Sequence, residues 1–592
     1  MASLDRLRSI VADSLGKHMY ANAIFFADKL VSMSNGDPDD VYRLAQAYYY
    51  TRQHRRALRL LRAHGLVAAS VRACFLAARC LIESQAYDEC LTTIARGVAL
   101  CETDPHARTA AGAAHGADGR LSALASLYLL AGKAHDAQDH RSLAAKSYAQ
   151  AACEDVFCFE AVDTLVSRRM LSAEQQRSLL AQIVARVPPS EGWLRVYYQA
   201  RLDEAHALAL VARMTSASPP GAPGVALGAS AADASNAPAM PAPLGAARAA
   251  APPAAPAPPL YNLEHNAELV SMVAEAQFER GAYGSAFDLS SRVLRADPFE
   301  MAAVPVHCCA LHQLRRKPEL FDIGHRLVEA YPQRAETWFA VGCYYSLIGE
   351  YESARRHFSK ATALQPTFVP AWIGFAHAFA AQEESDQAMA AYRSATRLFA
   401  GSPLPWLGIG MEYLRTNHLP LAEQYLRQAH TLAPDHPLVK HELGVVHFLK
   451  GEYEDARDAF IAVADDATAV VPASAAEARE PSLLNLGHTY RRLGQLDKAV
   501  SCYQTALSVR PRAASTYAAL AFAHHLAGDS HQAIVHYHQA LSLRPDDTFT
   551  SEMLSRALEE ALLPEPLELA NLPAQPLPAS AAEEVADMEM AA

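Results

Sequence analysis

Apolar and polar positions along this chain of 592 residues repeat with a period of 34 residues. Three tryptophans, Trp338, Trp372 and Trp406, mark successive periods. Prolines follow the same period, with one gap at Ala400. These prolines are Pro298, Pro332, Pro366 and Pro434, and a second run adds Pro511 and Pro545. A period of this length is typical of stacked helix–turn–helix units, so the pattern predicts an all-α chain.

Each unit carries the same residue types at the same positions. In the unit that starts at residue 335, Trp338 stands at position 4, Gly342 at position 8 and Ala354 at position 20, and Pro366 follows at position 32. Equivalent residues of the other units are Trp372, Ala388, Trp406, Gly410, Ala422, Pro434, Gly444, Ala456, Gly487, Ala499, Pro511, Ala533 and Pro545. This is the tetratricopeptide-repeat pattern, and it predicts a superhelical solenoid of about 13–14 repeats.

The residue types have physical reasons. Small residues at positions 8, 20 and 27 let the two helices of a unit approach closely, and aromatic residues at positions 4, 11 and 24 fill the space between them. Proline at position 32 ends the second helix, because it lacks an N–H group and disfavours helical geometry in the preceding residue. No unit can bury its apolar face alone, so neighbouring units must stack.

The repeats fall into three predicted blocks. Residues 1–211 match the pattern more weakly, and we interpret them as divergent repeats. Residues 260–463 form the main superhelix, and residues 481–562 form the C-terminal repeats. Between the last two blocks the phase slips by nine residues, so residues 464–480 are predicted to be an inserted loop.

Two further segments differ from the repeats in composition. Residues 212–259 are rich in alanine and proline and carry almost no charge. Residues 563–592 hold six acidic residues and no lysine or arginine. Neither segment can offset the entropy of ordering with a buried core, so we predict a disordered linker or loop and a disordered acidic tail.

Overall composition and charge disfavour several classes of protein. The formal net charge is −12, which is a poor match for nucleic acid or an anionic membrane. We find no secretory signal at the N-terminus and no run of about 20 apolar residues that would span a bilayer. The ten cysteines include no CxxC pair, so we expect reduced thiols that pack as small hydrophobic side chains. The sequence therefore predicts a soluble protein.

Motifs that carry catalytic chemistry are absent. The chain has no phosphate-binding GxxxxGK loop, no GxSxG and no HExxH, since His441 and Glu442 lack the second histidine. Gly408 and Gly410 lie inside a repeat helix, where we interpret them as packing residues. The paired histidines at 524 and 525 point about 100° apart on a helix, so we expect no metal site there. We predict no enzyme activity, cofactor or small-molecule substrate.

The concave surface is the expected binding surface, because positions 2, 5, 9 and 12 of the first helix usually line it in such repeats. The residues predicted to form this groove are Ile373, His377, Leu404, Leu407, Met411, Leu414, Leu438, His441, Val445, Phe448, Leu484, His488 and Phe522. An exposed apolar surface of this size indicates a partner. Alternatively, the superhelix is tight and these residues contact one another. Positions 5 and 9 lack the lysine and asparagine with which chaperone adaptors hold a C-terminal carboxylate.

Non-consensus stretches point to one family. They are, in chain order, Ala27–Leu30, Tyr42–Gln46, Leu260–Val270, Trp338–Tyr345, Lys440–Val446 and Arg544–Phe549. Together they resemble the tetratricopeptide-repeat subunit six of the anaphase-promoting complex (cyclosome), the cell-division-cycle-sixteen or Cut-nine type. The resemblance covers most of residues 18–211 and 260–555.

The resemblance implies a non-catalytic scaffold in a ubiquitin ligase that acts in mitosis, in the nucleus and cytoplasm. It implies a homodimer formed by the N-terminal repeats. It also implies partnership with other tetratricopeptide subunits of the complex, and with a small stabilising subunit whose N-terminal segment lies in the groove. The alternative is an adaptor for a chaperone or transport complex. A repeat-bearing enzyme such as a glycosyltransferase would need a separate α/β domain, for which the chain has no room.

Overall fold

The computed structural model describes residues 2–103, 122–202, 266–434, 436–465 and 480–562. The predicted linker and the predicted acidic tail lie outside these residues, as does most of the predicted inserted loop. Over the described ranges the chain forms 29 α-helices and one short 3₁₀-helix at Pro189–Glu191. One helix ends at Asp465 and the next begins at Glu480, so the two helices extend into the predicted loop by two residues and by one residue.

Twelve α-helices occupy the described residues before the linker. They are α1 (Ala2–Gly16), α2 (Tyr20–Met33), α3 (Pro38–Tyr50), α4 (His54–Ala63), α5 (Leu66–Ala69), α6 (Val71–Glu83), α7 (Tyr87–Thr103), α8 (Ala123–Ala137), α9 (Arg141–Glu154), α10 (Phe159–Ser167), α11 (Ala173–Arg186) and α12 (Gly192–Leu202).

Seventeen α-helices occupy the described residues after it. They are α13 (Ala267–Glu279), α14 (Tyr283–Ala296), α15 (Val304–Gln313), α16 (Lys317–Ala330), α17 (Ala335–Ile348), α18 (Tyr351–Leu364), α19 (Val369–Ala380), α20 (Ser385–Leu398), α21 (Leu404–Arg415), α22 (Leu419–Leu432), α23 (Pro437–Lys450), α24 (Tyr453–Asp465), α25 (Glu480–Arg492), α26 (Leu496–Val509), α27 (Ala514–Leu526), α28 (Ser530–Leu543) and α29 (Thr548–Leu562).

Consecutive helices pack as hairpins, and each hairpin packs on the next. From α13 onward every odd-numbered helix up to α27 contacts the even-numbered helix that follows it. The first helices of successive hairpins also contact one another, as α17 does with α19 and α19 with α21. This arrangement confirms the predicted all-α tetratricopeptide architecture.

Close helix approach within each hairpin depends on the small residue at position 8. A Cβ atom added to Gly342 would lie 2.6 Å from the ring of Phe358, and one added to Gly444 would lie 2.8 Å from the ring of Phe460. At Gly410 the nearest atom would be Cγ of Leu426, at 2.6 Å. The small residues at position 20 are fully buried: Ala354, Ala388, Ala422, Ala456, Ala499 and Ala533.

Prolines and turn residues set the helix ends. Pro366, Pro434, Pro511 and Pro545 each lie two residues beyond the last residue of a second helix. The turn inside each hairpin contains one residue with a positive φ. Glycine takes this place at Gly349, Gly451, Gly494 and Gly528, whereas Glu383 and Asn417 take it in the two units between 369 and 432. Glycine adopts this left-handed geometry at no steric cost.

Two of the three periodic tryptophans make equivalent hydrogen bonds, each to the carbonyl oxygen of the residue six positions earlier. The indole N–H of Trp338 donates to the carbonyl oxygen of Pro332 at 2.8 Å, and that of Trp372 donates to Pro366 at 2.9 Å. The buried indole N–H of Trp406 has no acceptor among the described residues. The carbonyl that would receive it belongs to Ala400, at the gap in the proline series. The chain therefore follows a different path at this turn.

Candidate binding groove

The predicted groove residues lie on the first helices of five hairpins, α19, α21, α23, α25 and α27. Their exposure divides them into three groups. The exposed residues are His377, Met411 and Leu438. The half-buried residues are Ile373, Leu404, His441, Phe448 and Phe522. The buried residues are Leu407, Leu414, Val445, Leu484 and His488.

The buried group packs between neighbouring hairpins. Leu407, Leu414 and Val445 belong to one core cluster, against which Leu404 and Phe448 also pack. Leu484 belongs to the next cluster along the chain. Leu407, Leu414 and Val445 therefore pack together in the core, as the tight-superhelix alternative expected of the whole set. Because they are buried, these residues offer little surface to a partner.

Two of the three exposed residues present apolar side chains on adjacent hairpins. Met411 is 42% exposed and lies on α21, and Leu438 is 46% exposed and lies at the start of α23. The half-buried Phe448, on α23, adds an aromatic ring. Apolar side chains of this size rarely remain exposed as a group without a partner. These residues are therefore the ones to test for partner binding.

Hydrogen bonds hold the histidines of this surface. Nδ1 of His377 lies 2.8 Å from the hydroxyl oxygen of Tyr392, which belongs to the second helix of the same hairpin. Nδ1 of His488 makes the equivalent contact with Tyr503 at 2.9 Å. Nδ1 of His441 lies 2.8 Å from the hydroxyl oxygen of Ser482, on α25. These contacts tie the first helices to their neighbours.

The protein environment also lowers the pKa of these three histidines. Loss of water around the ring lowers the pKa of His441 to about 4 and that of His488 to about 3. The side chain of His377 is exposed, yet loss of water around its ring, together with the nearby His312, lowers its pKa to about 4. All three rings are therefore neutral at pH 7.

Two acidic residues lie on the same helices as predicted groove residues. Glu412 is buried and its carboxylate lies 2.6 Å from a guanidinium nitrogen of Arg415. Glu442 is half-buried, and loss of water raises its pKa to about 7. The repeat pattern gives no signal for either residue, because positions 6 and 10 have no consensus type in these units.

The described residues include one group of possible metal ligands and ten cysteines. One group, His447, Glu452 and Asp455, has ligand atoms close enough to hold an ion, but both carboxylates are exposed. The imidazole Nδ1 of His447 lies 2.6 Å from the carboxylate of Glu452. All ten cysteines are free thiols, and burial raises the pKa of Cys80 and of Cys90 to about 12. Such thiols are poor nucleophiles at pH 7.

No helix in the described ranges combines the length and the hydropathy that a bilayer span needs.

Three histidines near the C-terminal end of the described residues contact other side chains. The rings of His524 and His536 stack with centroids 5.6 Å apart, and Nε2 of His525 lies 2.8 Å from the carboxylate of Glu560.

Family models match three parts of the chain. The model for subunit 3 of the anaphase-promoting complex, cyclosome, matches residues 16–97. Tetratricopeptide-repeat models match residues 343–403, 435–512 and 479–546.

Curated proteins of similar sequence span nearly the whole chain. Anaphase-promoting complex subunit 6 of Arabidopsis thaliana is 37% identical, over 94% of this chain and 96% of its own length. Cell division cycle protein 16 homolog of Homo sapiens is 34% identical, over 94% of this chain and 84% of its own length. Anaphase-promoting complex subunit cut9 of Schizosaccharomyces pombe is 30% identical, over 94% of this chain and 76% of its own length.

A solved structure has the same architecture. The crystal structure of the hetero-tetramer Cut9–Hcn1 of the anaphase-promoting complex aligns with a TM-score of 0.70 at 27% identity. The alignment covers 94% of this chain and 97% of the solved chain.

Proposed function

Since the chain belongs to the family of anaphase-promoting complex subunit 6, which includes cell division cycle protein 16 and Cut9, we propose that it is a homodimeric scaffold that encloses a small subunit's N-terminal segment. Family members are in general non-catalytic tetratricopeptide subunits of this ubiquitin ligase. In the proposal this subunit supports ubiquitination in the cell cycle by holding other subunits in place, in the nucleus and cytoplasm.

The similarity to Cut9 in its hetero-tetramer with Hcn1 carries the proposal, because it spans nearly all of both chains. The groove supports the same assignment by its chemistry. Met411, Leu438 and Phe448 offer an apolar surface bordered by neutral histidines, which suits the apolar face of a short peptide segment. A strongly charged ligand would find no complementary charge on these three residues.

The dimer part of the proposal has support in the first repeats. Phe25 and Met33 on α2 are 59% and 56% exposed, and Met19, just before α2, is 49% exposed. A homodimer with two-fold symmetry buries one self-complementary patch of this kind on each protomer. We therefore assign the dimer contact to the α2 face.

Affinity purification of the tagged full chain from dividing cells, followed by mass spectrometry, tests the scaffold function. The proposal expects the other subunits of the anaphase-promoting complex and one small subunit at near-stoichiometric amounts. Recovery of chaperones or transport proteins without those subunits would contradict it. It would instead favour the adaptor alternative.

A further inference from the structure

The turn between α10 and α11 belongs to the N-terminal repeats and contacts the main superhelix. We call residues 168–172 the clasp loop. It contacts the superhelix at two places that are far apart along the chain. One is the helix α13, and the other is the turn at residues 399–402, between α20 and α21. Four hairpins, α13 to α20, lie between these two places.

Arg169 makes the first contact. One of its guanidinium nitrogens, Nη2, lies 2.8 Å from the carboxylate of Glu275 and 2.8 Å from that of Glu279. Glu275 and Glu279 stand at positions 9 and 13 of their unit, on the side of α13 where the groove is expected. All three side chains are partly exposed, so water weakens the ion pairs. The contact nevertheless places Arg169 against the groove side of α13.

The second contact joins two backbones. The amide N–H of Gly401 donates to the carbonyl oxygen of Arg169 at 2.8 Å. A Cβ atom added to Gly401 would lie 2.6 Å from that oxygen and closer still to the carbonyl oxygen of Leu171. Both obstacles are backbone atoms that cannot rotate away, so only glycine allows this approach.

The repeat is altered at this contact. Position 400 lacks the periodic proline, α21 begins one residue later in its unit than α17, α19 and α23 do, and Trp406 loses the hydrogen bond that Trp338 and Trp372 make. Burial together with the Arg169 guanidinium lowers the pKa of His436, at the start of α23, to about 4.

We propose that the clasp loop is a conformational device that joins the two ends of the four-hairpin arc α13–α20 and thereby holds in place α21, the helix that follows directly and carries the predicted groove residue Met411. This inference rests on the proposed function for the identity of the occupant. With the clasp closed, the arc cannot flatten without breaking the Gly401 hydrogen bond and the Arg169 ion pairs. A segment held in the groove therefore leaves slowly.

Two variants of the full chain open the clasp in different ways. Arg169→Asn removes the ion pairs and keeps a residue that tolerates the left-handed φ of 47°. Gly401→Ala forces the two backbones apart. The matched controls are Arg356→Asn, which removes an exposed ion pair on α18, and Gly16→Ala, where an added Cβ has no heavy atom within 4 Å.

Hydrogen exchange measures the clasp itself, and peptide release measures its consequence. The probe is a fluorescent synthetic peptide that copies the N-terminal segment of the co-purified small subunit. We expect Gly401→Ala to speed amide exchange at residues 399–402 about tenfold and Arg169→Asn to speed it about threefold, and we expect both variants to speed peptide dissociation in the same order. Both controls should match the wild type.

Unchanged exchange at residues 399–402 in the Arg169→Asn chain would overturn the proposal, and so would faster exchange with an unchanged dissociation rate. Absence of peptide binding by the wild-type chain would instead contradict the proposed function. Exchange at residues 399–402 would still decide whether the clasp exists, so the two failures are distinguishable.

Discussion

The hydroxyl oxygen of Tyr503 lies 2.9 Å from Nδ1 of His488, and both side chains are buried. Tyr392 and His377 repeat the arrangement at the same two positions of another unit, with a distance of 2.8 Å. In both units the tyrosine at position 24, on the second helix, is hydrogen-bonded to the histidine at position 9, on the first helix. Burial lowers the pKa of both imidazoles, so both are neutral at pH 7, and protonation at low pH places a charge in each of these two hairpins.

Acidification should destabilise the protein between pH 6.5 and 4. The pKa is lowered to about 4 for His307, His436 and His441 as well as for His377, and to about 3 for His488. The unfolded chain, with histidine pKa values near 6.5, therefore binds more protons in this window, and stability is lost as the pH falls.

Glu442 acts in the opposite direction, because its pKa is raised to about 7. The folded chain then holds a proton that the unfolded chain loses above a pH of about 4.5, so this residue favours folding at lower pH. The effect of this one glutamate on the pH dependence of stability is smaller than the combined effect of the five histidines. Urea unfolding at a series of pH values should therefore show a lower midpoint at pH 5 than at pH 7.

His488→Asn tests the contribution of one buried histidine. The asparagine side chain can still form a hydrogen bond with Tyr503, but it does not titrate. We expect the pH dependence of the free energy of unfolding to weaken by up to ~1.4 kcal/mol per pH unit below pH 6. The exposed His538→Asn serves as control and should leave the dependence as in the wild type. An equal effect of both substitutions would argue against the buried-histidine account.

Gly444→Ala should loosen one hairpin. The added Cβ would lie 2.8 Å from the ring of Phe460, and overpacking of this kind costs about 1–3 kcal/mol. Hydrogen exchange should speed up in peptides from α23 and α24 and remain unchanged in peptides from α1 to α4. The double variant Gly444→Ala, Phe460→Leu should recover part of the loss. If the double variant is less stable still, the Gly444–Phe460 contact is not the cause.

Phe25→Glu combined with Met33→Glu should convert the dimer to a monomer. Two carboxylates on each copy would place like charges across a two-fold interface and remove its apolar contact. Light scattering coupled to gel filtration should then give a mass near 64.0 kDa instead of twice that value. Phe321→Glu, at a position 54% exposed on α16, should leave the dimer intact. A dimer that persists after the double substitution would show that the interface lies elsewhere.

The 34-residue period was sufficient to predict the hairpins and their close contacts. Position 8, where Gly342 and Gly444 stand, and the prolines after the second helices are local features, so the sequence alone indicates them. The position-9 histidines appeared only as groove residues, because pairing with position-24 tyrosines depends on side-chain geometry between helices. The Arg169–Gly401 contact depends on the curvature of the whole solenoid, and the gap at Ala400 was its one visible sign.

The division of the predicted groove residues into buried and exposed ones also depends on contacts between helices. Positions 2, 5, 9 and 12 share one side of the first helix, but the tightness of stacking decides which of them remain exposed. Stacking buries Leu407 and Val445 and leaves Met411 and Leu438 open. Single-helix periodicity cannot separate these cases. The role of the open residues in partner binding stays a prediction.

Binding of the small subunit's N-terminal peptide to the full chain tests the central claim most directly. The comparison is between the wild type, the variant Met411→Asp with Leu438→Asp, and the control Leu421→Asp, which is 40% exposed on the second helix α22. We predict that the double variant loses at least about tenfold in affinity, or about 1.4 kcal/mol, with unchanged helical circular dichroism, and that the control binds as the wild type does. Equal affinity of all three chains would show that the segment does not bind this groove.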